Sequence, residues 1–155
     1  PDDTHELRDF EIVNKFAVGD LGNDAQFQKF KEKYSSTVRY PLFHGTGYLG
    51  ATFILRTGFK IVGESLVKAG RALEDGIYFA PNMDKAIQYA HDGLGTERHL
   101  GKGFIFVCEV VLGTAHDHKW DSGIFKSEEV VVRDPIKQVK IRYAYEIEKK
   151  GTKLK

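Results

Sequence analysis

Only one cysteine, Cys108, occurs in 155 residues, so the chain can build neither an internal disulfide framework nor a cysteine zinc site, which fits a reducing compartment. Long apolar runs are missing too. None approaches membrane-spanning length, and the charged start does not read as a signal peptide, so no membrane partner is expected. Neither sign of charge prevails: lysine and arginine number 23 against 22 acidic residues, and a net charge of +1 supplies no bulk attraction for nucleic acid. Acceptors held by local contacts remain compatible with it. Repeats and low-complexity segments are lacking as well. What is present, 41% hydrophobic residues in a chain of this length, suits one compact domain spanning 1–155. The expected location is intracellular, cytoplasmic or nuclear; a secreted effector that had lost its signal would look the same.

Phe10 to Val18 reads as a strand, followed by a turn at Gly19-Asp20-Leu21-Gly22-Asn23. Asp24 is placed to cap a helix whose Phe27, Phe30 and Tyr34 recur at helical spacing, a pattern that predicts core contacts. A short strand leads into Phe43-His44-Gly45, and Leu49 to Thr57 suits a helix stopped by Gly58 in the left-handed cap position. Phe59 to Asp75 is polar and glycine-punctuated, which suits a cover over a cleft. Asn82 or Asp84 begins a further helix in which Ala86, Tyr89 and Ala90 share a face and which Gly93 can end. Phe104 to Leu112 reads as a buried strand. In the last strand Val139, Ile141, Tyr143, Tyr145 and Ile147 alternate with Lys140, Arg142, Glu146 and Glu148. Short strands with interspersed helices predict an antiparallel-rich α+β fold rather than repeated parallel βαβ units.

Three segments carry chemistry: Pro41-Leu42-Phe43-His44-Gly45-Thr46, Gly76-Ile77-Tyr78-Phe79-Ala80, and Glu128-Glu129-Val130-Val131-Val132. His44 offers a directional donor or acceptor to a hydroxyl, and Gly45 lets a planar amide approach the backbone. Tyr78 and Tyr89 can present flat faces to a cationic ring. A carboxylate opening the valine strand can stabilise the positive charge that develops on a ribose as a pyridinium ring takes the bonding electrons and leaves neutral, the chemistry of splitting NAD. Each residue alone has a plainer reading, as a turn histidine, a core tyrosine or the solvated start of an edge strand. Their order and spacing carry the signal. By side-chain alternation Glu128 shares a face with Val130 and Val132, and Glu129 with Val131 and Arg133, which leaves both open as the acid.

His116-Asp117-His118 could in principle recruit a metal, but no third or fourth ligand is evident and a polar loop is the expected reading. No metal is expected. The basic tail Lys149, Lys150, Lys153 and Lys155 reads as a solvated terminus and is the sole hint of phosphate contact.

Taken together, these segments resemble the catalytic domain of the poly(ADP-ribose) polymerase family, within the diphtheria-toxin-like ADP-ribosyltransferases of His-Tyr-Glu type. The likeness runs from about Phe10 to Ile147. It rests on Leu42 to Thr46, on Ile54 to Phe59, on Gly76 to Ala80 with Asp84 to Tyr89, and on Phe104 to Gly113. The resemblance implies two packed, mainly antiparallel sheets with flanking helices and an NAD cleft between them. It also implies that NAD is consumed as a substrate, its nicotinamide bond cleaved and its ADP-ribose moved to an acceptor. His44, Tyr78 and Glu129 would be catalytic, with Asp134-Pro135 aligning the family's turn to Glu129 and Glu128 the runner-up. His44 would bind the adenosine ribose, Gly45 the carboxamide and Thr46 a ribose hydroxyl. Tyr78 and Tyr89 would sandwich the nicotinamide, and Lys85 and Ala86 complete the NAD-binding positions.

Three departures from the family pattern stand out. Ala86 replaces a serine that usually bonds the amide, Glu74 replaces a frequent glycine, and Gly113 to Ser127 is a short acceptor-side connection. That shortness favours mono- over poly-ADP-ribosylation, with a protein as the expected acceptor. A DNA or RNA acceptor, or a catalytically weak NAD-binding module, is the alternative. With so few residues before His44, the helical regulatory domain of some family members is not expected within these 155 residues.

Overall fold

The computed structural model describes residues 9–59, 76–91, 101–121 and 129–150, with the side chains of residues 88–91 and 121 outside that description. Among the described residues, seven strands and four α-helices follow one another as β1 (Phe10–Ala17), α1 (Asp24–Lys33), β2 (Val38–Thr46), α2 (Tyr48–Thr57), β3 (Ile77–Phe79), α3 (Met83–His91), β4 (Lys102–Val111), β5 (His118–Asp121), β6 (Glu129–Val132), α4 (Pro135–Gln138) and β7 (Val139–Lys149). Two antiparallel sheets result, one ordered β1-β7-β4-β2 and the other β3-β6-β5. This is the α+β arrangement of mainly antiparallel sheets expected from the sequence.

The principal core lies between the two sheets and α2. Leu42, Phe106, Cys108, Val110 and Ala144 from the large sheet meet Ile77, Phe79, Val130 and Val132 from the small one, with Ala51 and Ile54 from the helix. On the opposite face of the large sheet, Phe10, Ile105 and Ile147 pack against Ala80 and against Ala86 and Ile87 of α3. Burying one such large apolar side chain contributes about 1.5–3 kcal/mol.

The start of α1 corrects the sequence reading. Asp20, rather than Asp24, supplies the acceptor: its Oδ1 takes the backbone N–H groups of Gly22, Asn23 and Asp24 at 2.7, 3.1 and 3.2 Å. Those bonds, with Gly22's foremost, hold the Asp20 carboxyl below its ordinary range. Asn23 is the cap residue, and its Nδ2 donates to the carbonyls of Ile136 and Val139 instead of closing the helix. Asp24 is engaged by Lys140 at 2.7 Å. Phe27 is buried as predicted, whereas Phe30 and Tyr34 are half-buried, their rings in tilted contact with centroids 4.8 Å apart. Gly58 closes α2 with φ 77° and ψ 177°, a positive φ as expected, although its ψ is extended rather than left-handed helical.

A second correction concerns β7. Val139 and Ile141 point into the principal core, but so does Ala144, while Tyr143 is exposed and Ile147 belongs to the second core. The pairing explains it: Val107 faces Tyr143 and Cys108 faces Ile141, so Arg142 is an extra residue at a β-bulge. One inserted residue exchanges the faces of everything after it. The bulged Arg142 turns its guanidinium to Glu109.

Candidate active site

Residues 43 to 46 close β2 between fixed neighbours on both sides. Phe43 and Ala80 exchange two backbone hydrogen bonds, Phe43 N–H to Ala80 O at 2.9 Å and Ala80 N–H to Phe43 O at 2.8 Å, which join the two sheets at one point. Beside that junction the His44 Nδ1–H donates to the carbonyl oxygen of Tyr78 at 2.9 Å. Since a carbonyl only accepts, the proton is on Nδ1, and a neutral His44 presents Nε2 as an acceptor. The imidazole is further held by the rings of Phe59 and Phe79, at 4.8 and 5.7 Å.

Alternation along the strands sorts the signature residues. Ile77, Phe79, Val130 and Val132 enter the principal core, so Tyr78, Glu129 and Val131 point to the other face of the small sheet. Tyr78 pairs directly with Val131, which makes Tyr78 and Glu129 diagonal neighbours at roughly 7–8 Å between backbones. Glu129 is 6% exposed and opens β6. Gly76 lies against the same strand. A Cβ there would strike Val131 Cγ1 and approach the Val132 carbonyl oxygen to 2.9 Å, so only glycine lets the chain enter β3 at this depth.

On the large sheet, His44 pairs with Phe106 of the principal core, and Gly45 with Ile105 of the second. Position 45 therefore faces α3, and position 44 faces the opposite way. Asn82 starts α3, its Oδ1 accepting the Lys85 N–H at 2.9 Å. Lys85 is half-buried on the first turn, and Ala86 is fully buried beside Ala80 and Ile105. The missing serine is thus replaced by apolar packing. Thr46 is half-buried, its Oγ1 lying over Gly50 of α2, where a Cβ would collide with it.

Backbone pairing thus brings His44, Gly45 and Tyr78 to the seam between the sheets, with Ala86 in the cluster that includes Ala80 and with Glu129 on the Tyr78 face of the small sheet. The side chain of Tyr89, the runner-up Glu128, the Phe59 to Asp75 segment beyond residue 59, Gly93 and the tail beyond Lys150 lie outside the described residues. Asp117 and His118 serve a turn: Asp117 Oδ2 accepts from the N–H and hydroxyl of Thr114, and His118 Nδ1 donates to the carbonyls of Leu112 and Thr114. No cluster of three or more potential metal ligands occurs among the described residues, nor any helix long and apolar enough to cross a membrane. Two concavities, of about 210 and 410 Å³, flank Gln26 and Ile136 and contain none of the signature residues.

Gln138 escaped the sequence reading. It is fully buried, its Nε2 donates to the carbonyls of Val111, Leu112 and Asp117 at 3.0–3.2 Å, and its Oε1 accepts the Asp134 N–H at 2.8 Å. One amide thereby ties the end of β4 to the segments flanking β5 and β6. Its place after Pro135 in a short polar stretch offered no signal.

This architecture is that of an ADP-ribosyltransferase-like catalytic domain. The family profile described as "Poly(ADP-ribose) polymerase catalytic domain" matches residues 2–148, and the chain belongs to that family. Among curated relatives, it is 31% identical to Poly [ADP-ribose] polymerase 1 of Xenopus laevis over 124 residues, covering 80% of this chain and 12% of that protein. It is 32% identical to Poly [ADP-ribose] polymerase of Sarcophaga peregrina over 111 residues, 72% of this chain and 10% of the relative. With Poly [ADP-ribose] polymerase 2-B of Oryza sativa subsp. japonica it shares 30% identity over 114 residues, 74% of this chain and 18% of the relative. The matched part is thus a small fraction of each relative's length.

Proposed function

We propose that this chain transfers ADP-ribose from NAD to a macromolecular acceptor and releases nicotinamide. The observation that carries the reading is the common face of Tyr78 and Glu129, joined to His44 through the Tyr78 carbonyl. NAD would span β2. Its adenosine ribose would meet the Nε2 of His44 and the hydroxyl of Thr46 on one side, and its carboxamide the backbone of Gly45 on the side of α3. Tyr78 and Tyr89 would flank the nicotinamide ring, with Lys85 and Ala86 lining the helix beside it.

When the glycosidic C–N bond breaks, its electron pair leaves with the nicotinamide and the ribose carbon becomes cationic. The Glu129 carboxylate, accepting from the ribose 2-hydroxyl, stabilises that charge more than it stabilises the ground state. The acceptor then attacks the cationic ribose carbon and passes its proton to the Glu129 carboxylate or to water. Family membership supports NAD as the substrate, and no metal is invoked. Protein is the preferred acceptor and mono-transfer the preferred outcome, on the strength of the short connection after Gly113; an intracellular setting suits both.

Incubation of the chain with labelled NAD and separate protein, DNA and RNA acceptors tests the reading. Single ADP-ribose units on protein are expected. Label on nucleic acid selects the alternative acceptor, and bound but uncleaved NAD selects a binding module.

A further inference from the structure

The first turn of α2 follows directly on the residues proposed to grip NAD, and it is thinly anchored. Its cap is Gly47, with no side-chain hydrogen bond to the helix. Gly47 and Gly50 have no side chains to pack, Leu49 is 75% exposed, and the buried anchors Ala51 and Ile54 come later. Tyr48 is the remaining side chain. Its ring lies 5.2 Å from that of Phe104, and its hydroxyl donates to Oε2 of Glu146. The other oxygen of the same carboxylate accepts from Asn14 Nδ2 at 2.7 Å. Burial and the Glu146 carboxylate both push the Tyr48 hydroxyl's pKa far up, so it stays a donor at any working pH.

Glu146 reaches Tyr48 because of the bulge at Arg142. Strict alternation from Val139 and Ile141 would have put position 146 on the opposite face of the sheet; after the bulge it lies on the face that carries α2. Position 46, meanwhile, interlocks with the helix, since the Thr46 Oγ1 occupies the space above Gly50. Movement of the first helical turn must therefore be passed to Thr46 and to Gly45 before it.

We infer that Tyr48 and Glu146 form a strut from β7 to the first turn of α2 that positions the backbone of Gly45 and Thr46 for NAD, making Tyr48 a positioning residue. The inference rests on the proposed role of Gly45 as the carboxamide clamp. A packing role alone would lower the melting temperature and leave ligand binding by the folded protein unchanged. A positioning role weakens ground-state binding while sparing the bond-breaking step.

The test uses the full chain with Tyr48→Phe, which keeps the ring against Phe104, together with Glu146→Ala and the double variant. Benzamide affinity is measured by calorimetry, NAD turnover by nicotinamide release, and amide exchange of residues 46–51 without ligand. Tyr48→Phe is expected to weaken benzamide binding and raise KM for NAD about three- to tenfold, the range of an ordinary net hydrogen bond, since only part of the strut's worth reaches the ligand, with kcat within about twofold. Glu146→Ala should match it, the double variant should add little, and exchange at 46–51 should quicken. Unchanged exchange, unchanged KM, or fully additive losses in folded variants would overturn the strut. Faster exchange in Tyr48→Phe beside a wild-type chain that binds no benzamide would instead sink the proposed function and the positioning role resting on it, leaving only a structural contact.

Discussion

The imidazole of His44 is hydrogen-bonded through Nδ1 to the main-chain carbonyl of Tyr78, 34 residues further along, at 2.9 Å. The ring of one signature residue thus fixes the backbone of another, and the two sheets are joined at the adjoining Phe43–Ala80 bridge. The two side chains nevertheless serve opposite sides: the His44 ring packs with Phe59 and Phe79, while Tyr78 projects away from that core.

That division gives His44→Ala an unequal effect. NAD binding should fall more than benzamide binding, since the proposed partner of His44 is the far ribose, and a lost hydrogen bond of this kind costs about 0.5–1.5 kcal/mol. Calorimetry with both ligands checks it. Equal losses would show that His44 acts on the nicotinamide end or merely on the fold.

Gly76→Ala should destabilise the protein by about 1–3 kcal/mol, because the added methyl meets Val131 and the fixed Val132 carbonyl rather than a flexible chain end. Chemical denaturation with an unchanged slope reads this directly. A variant as stable as the wild type would mean that β3 and β6 approach less closely than described.

Acid stability should depend on Glu109. Burial alone would raise its carboxyl's pKa, but bonds from Lys31 and Arg142 outweigh that and hold it below the ordinary range. A depressed folded pKa stabilises the fold above the ordinary carboxylate range, and the contribution is lost as pH falls through the folded value. Wild type should therefore exceed Glu109→Gln in melting temperature near neutrality, with the gap closing on acidification. A gap that stays constant or widens between pH 7 and pH 3 would refute the assignment.

The sequence made legible those elements whose residues answer to local rules. Helical spacing found α1 and the glycine at 58 ended α2, while the strand leading into His44, expected to be short, runs over nine residues, Val38–Thr46. Long-range geometry was not legible. The bulge at Arg142 depends on how β4 and β7 pair, so the faces of Tyr143, Tyr145 and Glu146 could not be read from alternation within β7. Asp20 reads as a turn residue in sequence, with Asp24 nearer the helix, yet its carboxylate bonds the start of α1 across the turn. Within the site, alternation alone left Glu128 and Glu129 equivalent. Pairing of Tyr78 with Val131, and of core residues with Val130 and Val132, sets Glu129 on the Tyr78 face.

Turnover by Glu129→Gln, measured as nicotinamide release beside NAD affinity, tests the proposed chemistry most directly. The substitution keeps the size of the side chain and removes the charge that would stabilise the developing ribose cation. Turnover should drop about a hundred- to a thousandfold while NAD binding is largely kept. Full activity in Glu129→Gln, with the loss appearing in Glu128→Gln instead, would contradict the assignment of the acid, and full activity in both would contradict the mechanism.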